Sequence, residues 1–468
     1  MIAPRRDRKK QASTGVSIQS GDVRMHITRR HGHFVVAGVI LAAGFGLTAA
    51  AQPAPQSARP KAAEGSNWPQ FRGPNRDGRS VDTNLLKQWD ADGPALVWKA
   101  SGLGTGYSSL SIAGDRLFTM GDIGADQYVL ALSAADGSQL WKAKVGPIWQ
   151  DRYPGPRATP TVDGALIYSL GTEGDLVCLE AATGKERWRK SLPRDFGGQV
   201  MSDWKFAESP LVDGDRVVVT PGGADAMMVA LNKTTGATIW KSKVPTLGQA
   251  GRDGAGYSSV VISNGAGVKQ YVQLTGRGVI GIRASDGEYL WGYNRVANGV
   301  ANIPTPVVQG DLVFAASGYQ TGSALLKLAP AAGGKVTATE VYFLDGKTFQ
   351  NHHGGFVLID GHLYGGHGHR AGLPVCVELA TGTLKWGGDI RNDGRGSAAI
   401  AYADGHVYYR YENGLVILVE ATPTGYKEKG KLQVETSDLL SWAYPVIAGG
   451  KMYLRDKDSL YVYDLRKA

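Results

Sequence analysis

The chain has 468 residues, of which 43% are hydrophobic and 20% charged, a length that suits one large closed domain or several smaller ones. Residues 1–51 hold eight of the 51 basic and two of the 42 acidic side chains, which leaves 43 basic against 40 acidic in the remainder. A net charge of +3 on that remainder excludes an electrostatically driven nucleic-acid partner.

Residues 1–51 have the three parts of a secretory signal peptide. A basic leader precedes the apolar run 34–47, and a row of alanines ends at Ala51, where we expect cleavage. The apolar run is short for a membrane span. We therefore expect no transmembrane span after cleavage, and a periplasmic or extracellular protein.

Two features of the leader leave alternatives open. Met25 begins a more ordinary leader than Met1 does, and Arg29-Arg30 permits twin-arginine export as well as general secretion. The segment that follows, residues 52–66, is rich in Pro and Ala and lacks apolar periodicity, so we expect a disordered linker. The folded domain is then expected over 67–468.

The domain repeats itself. In five copies a turn glycine stands four residues before a tryptophan: Gly137 and Trp141, Gly184 and Trp188, Gly236 and Trp240, Gly287 and Trp291, Gly382 and Trp386. Eight further turn glycines follow one another about 44–51 residues apart: Gly114, Gly164, Gly214, Gly265, Gly310, Gly361, Gly405 and Gly449. This period, with four short strand patterns per unit, predicts an all-β, eight-bladed β-propeller of four-stranded antiparallel blades.

The ends of the domain indicate how the ring closes. The last unit lacks a fourth strand, while an additional strand that carries Trp98 precedes the first unit, so we expect this N-terminal strand to complete the last blade. In units five and seven, Tyr342 and Lys429 stand where a tryptophan is due. Cys178 and Cys376 fall on equivalent third strands four units apart, which predicts buried thiols that cannot form a disulfide.

Five of the nine histidines fall between His352 and His369. If Asp360-Gly361 forms a two-residue hairpin turn, His352 pairs with His369, and His367 shares their face while His353 points away. Three imidazoles on one face could bind zinc, copper or nickel. The alternative is that these histidines only form hydrogen bonds.

Several segments resemble a known group of proteins. They include NWPQFRGPNRDG at the start of the domain and the internal blocks RYPGPRATPTVDG, DWKFAESPLVDG and NHHGGFVLIDG. Over about residues 67–468 the chain is similar to exported bacterial proteins with pyrroloquinoline-quinone-like (PQQ-like) propeller repeats, of the quinoprotein alcohol dehydrogenase-like superfamily. This superfamily holds quinoprotein dehydrogenases, which use PQQ with calcium, and non-enzymatic members such as the barrel-assembly lipoprotein of the outer membrane.

The chain departs from both kinds of member. It has no adjacent cysteine pair, such as the dehydrogenases carry beside the quinone, and no secure Glu, Asn and Asp set for their calcium ion. It also lacks the lipidated cysteine of the barrel-assembly protein at its cleavage site.

In such a propeller the loops that lead into the first strands meet at one face of the central channel. We expect the ligand-binding residues of this channel face to be Tyr107, Arg157, Asp203, Trp204, Glu208, Tyr257, Asn302, His352, His353, Arg395 and Trp442. Arginines and aromatic rings suit a carboxylate-bearing or planar ligand, or a peptide. The alternative is that Arg157, Asp203 and Glu208 only neutralise one another across the channel.

The sequence therefore predicts an exported monomer that binds a small-molecule or protein partner at the channel face, without chemistry of its own and with no certain cofactor. The alternative is a PQQ-dependent alcohol or sugar dehydrogenase with calcium.

Overall fold

The computed structural model describes residues 67–436 and 440–467. The predicted signal peptide (1–51) and linker (52–66) lie outside the described residues. Within the part of the chain that is described, no helix combines the length and the apolar character needed to cross a bilayer.

The described chain forms eight sheets, each of four antiparallel strands, as the sequence predicted. The first strand, β1 (Leu96–Ala100), belongs to the last sheet, and blade 1 begins after it. Blade 1 contains β2 (Ser111–Ala113), β3 (Arg116–Ile123), β4 (Asp126–Ser133) and β5 (Gln139–Pro147), and blade 2 contains β6 (Thr161–Asp163), β7 (Leu166–Leu170), β8 (Asp175–Glu180) and β9 (Glu186–Ser191). Blade 3 contains β10 (Leu211–Asp213), β11 (Arg216–Val219), β12 (Met228–Asn232) and β13 (Thr238–Ser242), and blade 4 contains β14 (Val261–Ser263), β15 (Gln270–Thr275), β16 (Gly278–Arg283) and β17 (Tyr289–Tyr293).

The second half of the ring repeats this order. Blade 5 contains β18 (Val307–Gln309), β19 (Leu312–Ser317), β20 (Gly322–Pro330) and β21 (Val336–Asp345), and blade 6 contains β22 (Phe356–Ile359), β23 (His362–His367), β24 (Leu373–Glu378) and β25 (Leu384–Gly387). Blade 7 contains β26 (Ala398–Ala403), β27 (His406–Tyr411), β28 (Leu415–Glu420) and β29 (Glu428–Gln433), and blade 8 contains β30 (Val446–Ala448), β31 (Lys451–Asp456) and β32 (Ser459–Asp464) together with β1. A short helix, α1 (Leu192–Phe196), joins blades 2 and 3, and two 3₁₀ turns lie at Gly265–Gly267 and Ala332–Gly334.

The first strands of the blades line the central channel. Contacts join β2 to β6, β6 to β10, β14 to β18, β18 to β22, β22 to β26 and β26 to β30, so these strands form the inner ring. Consequently the loops that lead into them, and the turns between second and third strands, meet at one mouth of the channel.

The repeated glycine and tryptophan belong to one contact between neighbouring blades. Trp188 on the outer strand of blade 2 donates its indole N–H to the carbonyl oxygen of Lys233 in blade 3, at 2.9 Å. A Cβ on Gly236, whose φ is +71°, would lie 2.8 Å from that indole. Trp141, Trp240 and Trp386 bond to the next blade in the same way. The glycine is therefore needed because the preceding blade's tryptophan lies against it.

Blades 5 and 7 lack the tryptophan on their outer strands, and each has a different residue in its place. In blade 5 the prediction for Tyr342 is confirmed, since its hydroxyl donates to the carbonyl of Leu379 at 2.9 Å. In blade 7 the usual tryptophan position, opposite Leu418, is held by Gly430, one residue beyond the predicted Lys429. The turn before it is longer than in the other blades, since the Glu420 N–H bonds to the Lys427 carbonyl whereas the Glu180 N–H of blade 2 bonds to the Lys185 carbonyl. Trp89 fills the space, because a Cβ on Gly430 would lie 2.5 Å from the Trp89 Cβ.

The N-terminal strand closes the ring as predicted. β1 pairs antiparallel with β32, with Trp98 opposite Val462, and supplies the outer strand of blade 8. Trp98 then lies against Gly137 of blade 1, at 2.7 Å from the position of an added Cβ. Cys178 and Cys376 are free and buried, and burial raises the pKa of each thiol to about 11. Inert thiols are the expected consequence.

Residues 67–79, hereafter the plug, cross the channel and divide it. Their hydrogen bonds reach blades on opposite sides of the ring: Trp68 with Ile112 in blade 1, Pro69 with Val162 in blade 2, Arg76 with Ser209 before blade 3, Arg72 with Phe356 in blade 6, and Gly78 with Tyr402 in blade 7. A chain that bonds to opposite walls must cross the axis. The loop-rich mouth is therefore closed below by the plug.

Candidate functional site

A cavity of about 330 Å³ lies at the loop-rich mouth, with Phe71 of the plug in its floor. The Phe71 ring packs edge-on against Tyr444 at 5.2 Å between centroids. Seven of the eleven residues predicted for the channel face line the cavity: Tyr107, Arg157, Trp204, Tyr257, His352, His353 and Trp442. Residues from six separate loops therefore meet at one place, as ring closure requires.

The other four predicted residues lie elsewhere. Asp203 and Arg395 are exposed and do not line the cavity. Asn302 is buried behind the wall, where its amide donates to the carbonyls of Thr275 and Gly276, each at 3.0 Å. This residue fixes the loop into blade 5 and is not available to a ligand in the cavity.

Glu208, the fourth, belongs to a buried network between blades 3 and 4. Its carboxylate accepts hydrogen bonds from the Thr220 amide at 2.6 Å, the Thr220 hydroxyl at 3.1 Å and the Gln273 side chain at 3.2 Å. Burial raises the pKa of this carboxyl to about 7, although its hydrogen bonds and Arg76 act in the opposite direction. Glu208 therefore supports the channel wall without lining the cavity.

Aromatic rings form the walls of the cavity. Trp442 lies 4.4 Å from Tyr107, 5.2 Å from Tyr153 and 5.1 Å from His353 between ring centroids. Tyr153 continues to Trp204 at 5.7 Å. Rings from five different loops therefore present a nearly continuous surface that suits a planar group.

Arg157 supplies positive charge to this surface. Its guanidinium donates to the carbonyl oxygens of Tyr153 at 2.7 Å and Gly155 at 3.2 Å, and it packs 5.6 Å from the Tyr107 ring and 5.0 Å from the Trp149 ring. Burial lowers the pKa of Arg157 to about 10, so it stays cationic at neutral pH.

The sequence-based alternative, mutual neutralisation of Arg157, Asp203 and Glu208, is not what the structure contains. Arg157 bonds to carbonyls, Glu208 bonds to Thr220 and Gln273, and Asp203 is exposed. Among the described residues, Arg157 has no carboxylate within the 4.0 Å that defines an ion pair. Its charge has no direct ion-pair partner there and can attract an anion, although Asp122 and Asp151 are near enough to act on its pKa.

Sequence reasoning missed the cavity residues that come from other parts of the blades. Tyr319, Arg370 and Glu412 lie on the turns between second and third strands of blades 5, 6 and 7. Tyr319 and Arg370 have φ of +55°, a left-handed conformation that bulky residues rarely adopt. The sequence does contain a signal for these residues. A tight turn at this point favours glycine or asparagine, so a tyrosine or an arginine there indicates that something other than turn geometry selects the residue.

The histidine hairpin is only partly as predicted. β22 and β23 pair with the expected register, Phe356 opposite Gly365 and Ile359 opposite His362. The ladder begins only at Phe356, so the extrapolated pairing of His352 with His369 is not a ladder contact, although their rings lie 4.4 Å apart. His367 turns away and accepts the backbone N–H of Gln350 at its Nδ1.

The structure does not bring His352, His367 and His369 together as the predicted metal set, because His367 turns away to Gln350. His353 does not point away, since its ring lies 4.3 Å from that of His352. The groups that could hold a metal are His352, His353 and Glu412, whose ligand atoms all lie within 4.8 Å of one another. His353 Nε2 is 3.4 Å from Glu412 Oε1.

The residues present do not fit a calcium-bound quinone. Calcium takes six to eight oxygen ligands. Among the described residues that line the cavity Glu412 is the one carboxylate, and it already contacts His353 and accepts the Ser397 amide N–H at 2.9 Å. The two cysteines lie inside blades 2 and 6, away from the lining.

The repeats and the ring place the chain in a class. It is an eight-bladed propeller of PQQ-like repeats. The family model described as "Outer membrane protein assembly factor BamB" matches residues 125–388, more than half of the chain, and the chain belongs to this family.

Individual relatives are more distant. The outer membrane protein assembly factor BamB of Burkholderia pseudomallei is 29% identical over 255 residues, which cover 51% of this chain and 59% of that protein. The structure of BamB from Moraxella catarrhalis covers 79% of this chain and 99% of its own, with a TM-score of 0.55 and 13% identity. A europium-containing methanol dehydrogenase covers 86% and 98%, with a TM-score of 0.62 and 12% identity. At these low identities, the comparison with the two solved structures shows that this chain shares their fold.

Proposed function

We propose that this protein is an exported, monomeric propeller that binds a planar, anionic group in the cavity above the plug, without catalysing a reaction. The observation that carries the proposal is Arg157, a cation held in the cavity wall by two carbonyl oxygens and two aromatic rings, with no carboxylate partner among the described residues. A preorganised guanidinium of this kind favours carboxylate, sulfonate or phosphate groups.

The rest of the lining supports the same ligand chemistry. Arg152 and Arg370 add positive charge, whereas Glu412 contacts His353. Tyr107, Trp442 and the neighbouring rings offer flat faces for stacking. The volume of about 330 Å³ is at the lower end of the usual range for ligand pockets, which indicates a compact group.

The planar anion can be a free molecule or a side chain on a segment of a partner protein. Membership of a family named for outer membrane protein assembly supports a binding role over a catalytic one. The lack of a calcium cage in the lining supports it as well.

A fluorescent aromatic sulfonate, 8-anilinonaphthalene-1-sulfonate, tests the proposal. It should bind at one site, and Arg157→Met should weaken binding by about 10- to 100-fold, since hydrogen bonds to charged groups contribute about 1.5–3 kcal/mol. Arg187→Met removes an exposed arginine of blade 2 outside the cavity and is the matched control. Equal affinity of both variants would refute the proposal.

Competition then separates the two forms of ligand. Aromatic carboxylates that displace the probe at micromolar concentration indicate a free molecule. Displacement only by peptides with an acidic residue beside an aromatic one indicates a partner protein.

A further inference from the structure

We propose that His352, His353 and Glu412 form a binding site for one divalent transition-metal ion of the zinc type, in the wall of the cavity. The site can be tested apart from the organic ligand proposed above, because its ligands do not include Arg157, although the His353 ring also contacts Trp442 of the aromatic wall. The three ligand residues come from two different blades, and all three line the cavity.

The distances suit a metal ion. Two ligands bound at about 2.1 Å to a tetrahedral ion lie about 3.4 Å apart. His353 Nε2 and Glu412 Oε1 lie 3.4 Å apart, and the His352 ligand atom is within 4.8 Å of both. One small side-chain rotation of His352 would therefore complete the set.

One ring nitrogen of His353 lacks a hydrogen-bond partner among the described residues, and a metal ion could bind it. Its Nε2 is buried and has no hydrogen-bond partner among the described residues, although Glu412 Oε1 is close. The geometry between the two atoms does not make a hydrogen bond, but their distance is that of two ligands of one ion. Because a buried, unpaired ring nitrogen costs free energy, an ion that accepts its lone pair would remove that cost.

Ser397 orients two of the three ligands. Its hydroxyl lies 2.9 Å from His352 Nδ1, and its backbone N–H donates to Glu412 Oε1 at 2.9 Å. With Nδ1–H donating to the hydroxyl, His352 Nε2 keeps its lone pair for a metal, which is how such histidines are usually held. The Tyr319 hydroxyl, 3.2 Å from Nε2, occupies that position without the ion.

Two imidazoles and one carboxylate favour zinc and its first-row neighbours over calcium or magnesium, which prefer oxygen ligands alone. Three protein ligands leave at least one coordination position open. That position faces the cavity, so an ion here would be within reach of whatever the cavity binds.

The test uses the purified full chain, stripped with chelator and titrated with Zn²⁺ by calorimetry, with Co²⁺ absorption as a second readout. We expect His353→Ala and Glu412→Gln each to abolish one equivalent of binding or to weaken it at least 100-fold, and Ser397→Ala to weaken it about 10- to 100-fold. The loss of one equivalent is the readout because other histidines, such as His31 and His33, can also bind Zn²⁺.

Two histidine variants serve as controls. His367→Ala and His362→Ala should retain the equivalent, since His367 bonds to Gln350 and His362 to the Asp360 carbonyl. Far-ultraviolet dichroism and the melting temperature establish that each variant folds, and Glu412→Gln preserves the shape of the side chain if His353→Ala does not fold. The inference is overturned if folded Glu412→Gln or His353→Ala binds Zn²⁺ as the parent protein does. It is also overturned if the parent protein does not bind this one equivalent of Zn²⁺. Arg157→Met should leave Zn²⁺ affinity unchanged, which separates this result from the fate of the proposed function.

Discussion

Replacing Glu208 by glutamine should change how the stability of the protein depends on pH. The carboxyl is 3% exposed and lies in the wall between blades 3 and 4, with Thr220 and Gln273 as donors. Burial raises its pKa from 4.5 to about 7. Between these pH values the folded protein keeps a proton on Glu208 that the unfolded chain has lost.

The sign and size of the effect follow from this difference in bound protons. Because the folded state binds more protons, its free energy of unfolding falls as pH rises from 4.5 to 7. A difference of about 2.5 pH units at about 1.4 kcal/mol each gives roughly 3 kcal/mol lost by pH 8. Glutamine cannot titrate, so this contribution should disappear. Its side chain has one acceptor oxygen in place of two, so either the Thr220 N–H or the Gln273 amide loses that acceptor, which costs about 1–3 kcal/mol.

Urea unfolding at pH 5 and pH 8 gives the free energy of unfolding of each protein. The effect is the difference between the parent and Glu208→Gln in how far that free energy changes with pH. The parent should lose about 2–3 kcal/mol more than Glu208→Gln between the two pH values. Glu435→Gln, at an exposed position paired with Lys99, is the control and should follow the parent. Parallel profiles for the parent and Glu208→Gln would refute the reasoning, and would mean that Glu208 is solvated and available to a ligand.

Three further outcomes are expected. Trp188→Ala should lower the free energy of unfolding by about 3–5 kcal/mol in urea, because it removes a buried indole and one of the two hydrogen bonds that the Lys233 carbonyl accepts from Trp188 and Tyr168. Gly430→Ala should lower it by about 1–3 kcal/mol in the same assay, since its Cβ would collide with Trp89, and an unchanged midpoint would contradict the assignment of Trp89 to that space. Incubated with PQQ, calcium and a dye acceptor, the protein should oxidise neither alcohols nor sugars; turnover would establish the dehydrogenase alternative.

The fold was predictable because the repeat records a contact between blades. Four of the five glycines lie under the preceding blade's tryptophan and Gly382 lies under Tyr342, so a glycine recurs where an aromatic ring of the neighbouring blade covers the turn. In blade 7 the pattern misleads. Lys429 was assigned to the tryptophan position because spacing alone does not show the longer turn after Glu420, and Trp89 lies about 340 residues from the glycine that it covers.

The site was predictable only in part, for a geometric reason. Loops into the first strands are recognisable from spacing, and they supplied Tyr107, Trp442 and five other lining residues. Turns between second and third strands are short and irregular in sequence, so Glu412 and Tyr319 were missed. The histidine register failed for a related reason, since a ladder extrapolated beyond Phe356 assumes strand where the chain has already left the sheet.

The plug explains why this propeller has a cavity at its mouth. Eight inner strands alone would leave a channel open at both ends. Arg72 and Arg76 are buried and donate to carbonyl oxygens on opposite sides of the ring, Phe356 and Ser209, so two guanidinium groups fix the plug across the axis. Both arginines have a positive φ, near +60°, a strained conformation that such contacts must offset. Because Phe71 of the plug lines the cavity, the floor of the cavity depends on the segment that precedes the first blade.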